Sequence, residues 1–126
     1  MSDDFSIDCS VDDAKRLLRI VTYGTIDSAV FADRCIAFFG DIDEPWLYGR
    51  LYDETRSTGV VGYEDLQRMA RVLNPLWSRA RTPPRVAVAN PSKLVAARMP
   101  MVSHMNAHPN HRVFATAEEA EAWLLA

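Results

Sequence analysis

The chain has 126 residues, of which 48% are hydrophobic and 25% are charged, and its net charge at pH 7 is −3. This composition is typical of one soluble globular domain, large enough to fold without a metal ion or a disulfide. The acidic balance argues against a nucleic-acid binder, which usually carries an excess of basic residues, and against an electrostatic membrane anchor.

The amino-terminal segment and the cysteines bear on the compartment. Residues 1–6 are acidic and have no apolar core, so they do not resemble a secretory signal, and the sequence contains no apolar run of the ~20 residues that a bilayer span needs. We therefore expect a cytoplasmic protein without a membrane span. In that compartment Cys9 and Cys35 are expected to be reduced and to pack as small apolar side chains.

The first third of the chain predicts two strands and a helix. Residues 5–11 alternate apolar and polar side chains, which is typical of a half-buried strand. Residues 17–23 are more continuously apolar, and the short break between the two segments predicts an antiparallel hairpin with the first strand at the sheet edge. Apolar positions in residues 27–39 then recur at helical spacing.

The rest of the chain alternates strands and helices. Residues 46–53 predict a strand inside the sheet, followed by a loop over residues 54–62. Residues 63–81 carry the longest helical pattern, which Pro75 interrupts, so this helix either kinks there or ends near Val72. A strand over 85–90, a helix over 93–105, a strand over 111–115 and a helix after Thr116 complete the prediction.

The predicted order is therefore β-β-α-β-α-β-α-β-α. Strands that alternate with helices indicate an α/β protein whose sheet is mainly parallel, with right-handed crossovers. We predict a single domain over residues 1–126, with a sheet of about five strands, a leading antiparallel edge strand and four helices. The chain contains no internal repeat and no low-complexity segment.

The carboxyl-terminal region resembles the SpoIIAA-like proteins of the STAS superfamily. Several lines of that family close with a strand ending in Val-Phe, a short polar cap and a helix bearing Ala-x-x-Trp-Leu, which here are Val113, Phe114, Ala120, Trp123 and Leu124. Residues 85–102 are similar to the family's fourth strand and the helix after it. The resemblance extends as a pattern over nearly the whole chain, and it implies a non-catalytic regulatory or protein-interaction module of the bacterial cytosol.

The resemblance also implies a modification site. Anti-sigma-factor antagonists of the superfamily carry a phosphorylated Ser or Thr, commonly in an Asp-Ser-Ser-Gly-like motif between the third strand and the second helix. The matching residues are Ser57, Thr58 and Gly59, preceded by Arg56 where an Asp is expected. A phosphorylation or anion-binding site in the loop after the third strand is one interpretation. A turn or helix cap, with Gly59 at positive φ, is the other.

Charged residues cluster around the end of the third strand, where α/β proteins tend to bind ligands. Asp53 and Glu54 are adjacent, so their side chains are expected to point to opposite faces of the sheet and not to form a general acid–base pair. We instead expect ion pairs among Arg50, Asp53, Glu54 and Arg56.

The alternative function is the binding or sensing of a small apolar or lipid-like ligand in a pocket between sheet and helices. Aromatic and methionine side chains provide adaptable apolar surface, although at helical or alternating spacing they more usually belong to an ordinary core. Our candidates for a ligand or partner surface are Tyr52, Asp53, Arg56, Met99 and Met101. Tyr23, Trp46, Tyr48, Trp77 and Met105 belong to the same group of large apolar side chains.

Metal and cofactor chemistry is not predicted. His104, His108 and His111 have no Cys, Asp or Glu close enough in sequence to complete a set of ligands. The sequence also lacks a Gly-rich phosphate loop, a Gly-x-Ser-x-Gly elbow and a Cys-x-x-Cys motif. We predict no metal, no cofactor and no enzymatic activity.

The expected partner is another protein. A homodimer formed through helix faces bearing Phe38, Phe39 or Met101 remains an open alternative, as does the small apolar ligand described above. No nucleic-acid partner is expected, for the reason of charge given at the outset.

Overall fold

A computed structural model describes residues 4–107 and 110–126 of the chain. These residues form a five-stranded sheet in the order β1-β2-β3-β4-β5, in which β1 and β2 are antiparallel and all other neighbours are parallel. The strands are β1 (Ser6–Asp12), β2 (Leu17–Thr25), β3 (Gly49–Thr58), β4 (Val86–Ala89) and β5 (His111–Phe114). The helices are α1 (Ser28–Gly40), α2 (Tyr63–Trp77), α3 (Lys93–Met105) and α4 (Ala117–Leu125). The predicted fold class and element order are confirmed.

The leading hairpin has the predicted arrangement. Along β1, Ile7 is buried while its neighbours Ser6 and Asp8 are exposed, as alternation on an edge strand requires. The turn contains no glycine; instead Arg16 adopts a positive φ of 55°, and Asp12 Oδ1 accepts a hydrogen bond of 3.0 Å from the Lys15 amide.

Helices cover the two faces of the sheet unequally. We call the face that contacts α1, α2 and α3 the pocket face, and the opposite one the α4 face. The core of the pocket face under α1 and α2 includes Ile7, Leu18, Ile20, Phe31, Cys35, Phe39, Met69, Leu73 and Trp77. Its extension under α3 consists of Val88, Val95 and Met99. The α4 face is narrower and consists of Leu51, Ala87, Ala89 and Ala120.

The third strand differs from the prediction at both ends. Trp46 and Leu47 form a 3₁₀ turn, and β3 begins at Gly49 and continues to Thr58, so residues 54–58 are strand and not loop. The cause is a β-bulge: Val21 pairs with Asp53 and Tyr23 with Arg56, so two residues of β3 stand opposite one of β2. Backbone pairing with β2 overrides the polar composition of the segment.

Helix α2 is continuous from Tyr63 to Trp77, with Pro75 inside its last turn. The predicted ending near Val72 is therefore wrong, and the helix ends before residue 81. Because Pro75 lies so near the end, its missing N–H removes one hydrogen bond without dividing the helix. Among the helices that the structure describes, none combines the length and the hydropathy that a membrane span requires.

The cysteines pack as predicted for small apolar residues. Cys35 is fully buried in the core beneath α1, and Cys9 is half-buried beside it. Burial raises the pKa of the Cys35 thiol well above its usual range.

Phe39 belongs to the same core and is fully buried, so the homodimer face considered for it is wrong; Phe38 packs against this core and is half-buried.

Candidate ligand pocket between the sheet and helices α2 and α3

A cavity of about 100 Å³ lies between the pocket face of strands β3 to β5 and the helices α2 and α3. For comparison, a dry cavity of about 150 Å³ in another protein takes up benzene. By that scale the cavity itself accommodates about four non-hydrogen atoms. It is partly open to solvent, so the end of a somewhat longer ligand can extend out of it. Its walls are mainly apolar and include Leu66, Met69, Ala70, Leu73, Val88, Val95, Met99 and Val102.

The floor of the cavity is a polar stripe. Arg50, Tyr52 and Glu54 are alternate residues of β3, so their side chains share the pocket face, and all three line the cavity. Strands in the middle of a mainly parallel sheet are covered on both faces and are usually apolar throughout. Burying three polar side chains in a row is unfavourable unless each finds a partner, which marks this stripe as a candidate site.

Arg50 is the most unusual member of the stripe. It is 3% exposed, and its guanidinium carbon lies 3.8 Å from the centroid of the Trp77 ring. Within residues 4–107 and 110–126, its Nε and Nη1 have no hydrogen-bond acceptor. Burial lowers the pKa of Arg50, but an arginine remains protonated at neutral pH. Among the described residues no carboxylate forms an ion pair with this guanidinium, and the Tyr52 phenol offsets part of the effect of burial on its pKa.

His111 lies on the same row of the sheet as Arg50. Arg50 pairs in register with Val86, and Val86 with His111, so the two polar side chains flank Val86 on one face. The His111 Nδ1 is buried and also has no partner among the described residues. Burial, together with the Arg50 charge, lowers the pKa of His111 to about 3, so its ring is uncharged at neutral pH.

The opposite end of the stripe is acidic and better satisfied. Glu54 Oε1 accepts a hydrogen bond of 2.9 Å from Asn90 Nδ2, and Arg98 Nη2 donates one of 2.7 Å to the Val61 carbonyl. Burial raises the pKa of Glu54, while the Asn90 hydrogen bond and the Arg98 charge oppose this. Burial likewise raises the pKa of the Tyr52 phenol. The cavity therefore has a cationic end at Arg50 and an acidic end at Glu54.

The structure brings together only part of the predicted ligand surface. Tyr52 and Met99 both line the cavity. Asp53 shares the other face with Ala89, and its Oδ1 accepts hydrogen bonds from the Thr55 amide (3.0 Å) and hydroxyl (2.6 Å). Met101 is 39% exposed, away from the cavity lining.

Arg56 is also placed outside the cavity, since it is exposed with its guanidinium carbon 5.9 Å from the Tyr23 ring. The predicted ion pairs are wrong: among the described residues, Arg50, Asp53, Glu54 and Arg56 form none. As predicted, the adjacent Asp53 and Glu54 lie on opposite faces of the sheet. Arg50 is buried, whereas Arg56 is exposed.

Ser57, Thr58 and Gly59 lie at the carboxyl end of β3 and directly after it, not in a long loop. Ser57 Oγ is 2.7 Å from the hydroxyl of the fully buried Thr22, and it donates a 3.1 Å hydrogen bond to the Glu54 carbonyl. Thr58 is exposed, and Gly59 has the predicted positive φ, 82°. Helix α2 begins four residues later, with Gly62 as its N-cap, so neither hydroxyl caps it.

Sequence reasoning missed the roles of Arg50, His111 and Arg98 in this cavity. His111 was considered only with His104 and His108 as a metal ligand; His108 lies outside the described residues, which contain no group of three or more potential metal ligands. A signal was available in Arg50, because an arginine on a strand predicted to lie inside a parallel sheet must be buried.

Solved structures of other proteins share this architecture. No family model matches the chain, and no curated protein matches it. Among solved structures, an uncharacterised protein of the DUF3478 family with a SpoIIAA-like fold, from Shewanella loihica PV-4, superposes with a TM-score of 0.59. It is 14% identical, and the match covers 98% of each chain.

The chain has the SpoIIAA-like fold. An anti-sigma factor antagonist from Mycobacterium paratuberculosis matches as well, with a TM-score of 0.56, 14% identity and 98% coverage of both chains. The predicted resemblance is thus confirmed at the level of the fold. At this identity the likeness concerns architecture, and the function of this SpoIIAA-like chain has to be argued from its own residues.

Proposed function

We propose that this SpoIIAA-like protein is a non-catalytic regulatory module that binds a small ligand in the cavity between the sheet and helices α2 and α3. The observation that carries the proposal is the polar stripe of Arg50, Tyr52 and Glu54 on the floor of an otherwise apolar cavity. An apolar pocket with a few converging polar groups is the usual form of a small-molecule site.

The chemistry of the lining supports binding over catalysis. Among the described residues, no serine, threonine or cysteine lines the cavity. Glu54 is hydrogen-bonded to Asn90 at one end and His111 lies at the other, so no activated nucleophile is assembled.

A ligand in this position would act on the spacing of α2 and α3. The two helices are joined by few polar contacts, among them a 2.9 Å hydrogen bond from Asn74 Nδ2 to the Met105 carbonyl. Their outer surfaces carry exposed Val72 and Leu94, 49% and 59% accessible, which a protein partner could contact. Differential affinity of the ligand for two helix spacings would then change the affinity for the partner.

Xenon binding tests the cavity without knowledge of the ligand. Crystals of the ligand-free protein pressurised with xenon are expected to show a xenon atom at the apolar wall between α2 and α3, in contact with Met69 and Met99, because apolar cavity surfaces take up xenon. The variant Ala70→Leu, which adds a side chain at the lining, is the matched control and should lose the xenon. Native mass spectrometry of the purified protein should in addition show a bound mass that denaturation removes. Absence of xenon from the wild-type cavity would contradict the proposal.

A second candidate is a protein-interaction module switched by phosphorylation at the end of β3. The observation that favours it is the exposed Thr58, which lies beside Gly59 and close to the exposed apolar side chains of Val60 and Tyr63. The half-buried Ser57 is less suited, because its hydroxyl is engaged with Thr22.

The second candidate is tested with Thr58→Glu against Thr58→Val. Pull-downs from a bacterial lysate, quantified against a bait with neither change, should show a partner whose affinity differs between the two variants. Equal recovery with both variants would remove the phosphorylation switch and leave the ligand-binding function untouched.

A further inference from the structure

We infer that the ligand is a small monocarboxylate with a short apolar body, and that Arg50 binds its carboxylate while the Nδ1 of His111 supplies a second polar contact. The inference rests on the proposed ligand-binding function and specifies the ligand's chemical class. It is carried by one geometric fact: Arg50 lines the cavity and is 97% buried, and its Nε and Nη1 have no hydrogen-bond acceptor among the described residues.

A buried guanidinium calls for an anion. Charged groups in protein interiors are normally paired or fully hydrogen-bonded, because desolvation of an isolated charge is strongly unfavourable. The ring of Trp77 at 3.8 Å offers a cation–π contact on one face of the guanidinium, but it provides no hydrogen-bond acceptor in the plane of the donors. A carboxylate in the cavity would supply both the charge and the acceptor oxygens.

The charge of the site favours a monoanion over a phosphate. At its own end of the cavity Arg50 contributes one positive charge, while at the far end the charge of Arg98 faces the carboxyl group of Glu54. His111 is uncharged at neutral pH because burial lowers its pKa to about 3. A phosphate dianion would therefore bring a surplus negative charge into the cavity. The uncharged His111 still offers a hydrogen bond, since a neutral imidazole carries one donor and one acceptor nitrogen.

The far end of the cavity defines the rest of the ligand. From Arg50 the walls continue as Val88, Val95 and Met99, which suit a short branched hydrocarbon. Glu54 then closes the stripe with a carboxyl group of its own, which disfavours a second carboxylate on the ligand. The cavity volume of about 100 Å³ limits the body to a few carbon atoms.

The experiment compares three ligands with the same branched hydrocarbon body and different charge, together with inorganic phosphate. Isovalerate, its neutral amide isovaleramide, the cation isoamylamine and inorganic phosphate are titrated into the full chain by isothermal calorimetry at pH 7 and fixed ionic strength. We expect isovalerate to bind at least about tenfold more tightly than isovaleramide, as a charge-assisted hydrogen bond in a buried site implies. Isoamylamine and phosphate are expected not to bind.

The variant Arg50→Met retains an unbranched apolar stem and removes the guanidinium and its charge. It should lower the affinity for isovalerate about tenfold or more and leave that for isovaleramide nearly unchanged. Arg79→Met is the matched control, because Arg79 also stacks on a tryptophan, at 4.4 Å from the Trp46 ring, but is exposed and outside the cavity. Arg50→Lys, which keeps the charge, retains a preference for the anion and serves if Arg50→Met does not fold.

The four probes distinguish a failure of the monocarboxylate assignment from a failure of the proposed ligand-binding function. Equal binding of isovalerate and isovaleramide overturns the carboxylate class while leaving a ligand pocket. Binding of phosphate in preference to isovalerate overturns the monocarboxylate. Binding of none of the four probes overturns the inference, and the xenon experiment then decides independently whether the cavity binds anything.

Discussion

The two faces of the same strands differ in composition and in packing. On the α4 face, Leu51 and Ala87 pack against Ala120, and the charged Arg19 beside Leu51 is paired with Glu121 of α4. On the pocket face, one residue further along β3 in each direction, Arg50 and Tyr52 line a cavity. A strand of alternating residues can thus serve stability on one face and binding on the other.

The polar side chains on the pocket face are residues that selection for folding stability alone would not favour. A buried Leu or Val in place of Arg50 would remove a desolvation cost, as the α4 face demonstrates with Leu51. Local departures of this kind are expected at functional sites. The following predictions are ordered from the largest expected effect on stability to the smallest.

Leu51→Ala should be the most destabilising change, by about 4 kcal/mol, because it opens a void in a close-packed cluster. Met99→Ala on the pocket face should cost only about 2 kcal/mol, since Met99 already borders a cavity and has fewer contacts to lose. Urea denaturation measures both. Equal losses would show that the two faces are packed alike.

His111 should make stability depend on pH. The unfolded chain binds a proton near the ordinary histidine pKa of 6.5, whereas the folded chain binds it only near 3. The free energy of unfolding therefore falls as pH decreases from about 6.5, by up to about 1.4 kcal/mol per pH unit. The raised pKa of Glu54 acts in the opposite direction but is common to wild type and variant.

The measurement for this prediction is the denaturation midpoint between pH 6.5 and 4.5. His111→Gln should flatten the dependence relative to wild type, while His104→Gln, which removes an exposed histidine, should keep it steep. If His111→Gln retains the full slope, His111 is not buried in its neutral form.

Arg50→Met should stabilise the ligand-free protein by about 1–3 kcal/mol. The desolvation of a buried charge costs several kcal/mol, and the stacking on Trp77 returns only about 2. The Arg79→Met control should change stability by less than about 0.5 kcal/mol. A clear loss of stability in Arg50→Met would assign Arg50 a structural role.

Substitution of Ser57 should lower the stability of the fold more than substitution of Thr58. Ser57→Ala leaves the buried Thr22 hydroxyl with a poorer hydrogen bond and should cost about 1 kcal/mol. Thr58→Ala removes an exposed hydroxyl and should change stability by less than about 0.5 kcal/mol. Thermal unfolding measures the pair, and a larger effect at Thr58 would contradict the described positions.

The sequence was sufficient to predict the architecture, because apolar periodicity follows from which face of each element is buried. The end of β3 was not predictable from composition, since pairing of residues 54–58 with β2 depends on a long-range contact and on the bulge opposite Thr22. For the same reason the candidate phosphorylation residues were assigned to a loop.

The pocket was predicted only in outline. Tyr52 and Met99 were recognised as large apolar side chains. The proximity of Arg50 and His111, however, depends on the register of three strands. Residues 61 positions apart in sequence carry no local signal of such a contact, and the expectation of ion pairs around Arg50 assumed a solvated strand end.

The most direct test of the binding face is the mapping of isovalerate onto the protein by ¹H–¹⁵N NMR titration. The account predicts saturable shifts at amides of Arg50, Tyr52 and Met99 and of neighbouring residues in α2 and α3, with little change at Ala120 and the rest of α4. Shifts centred on α4, or scattered shifts that do not saturate, would contradict a ligand site on the pocket face.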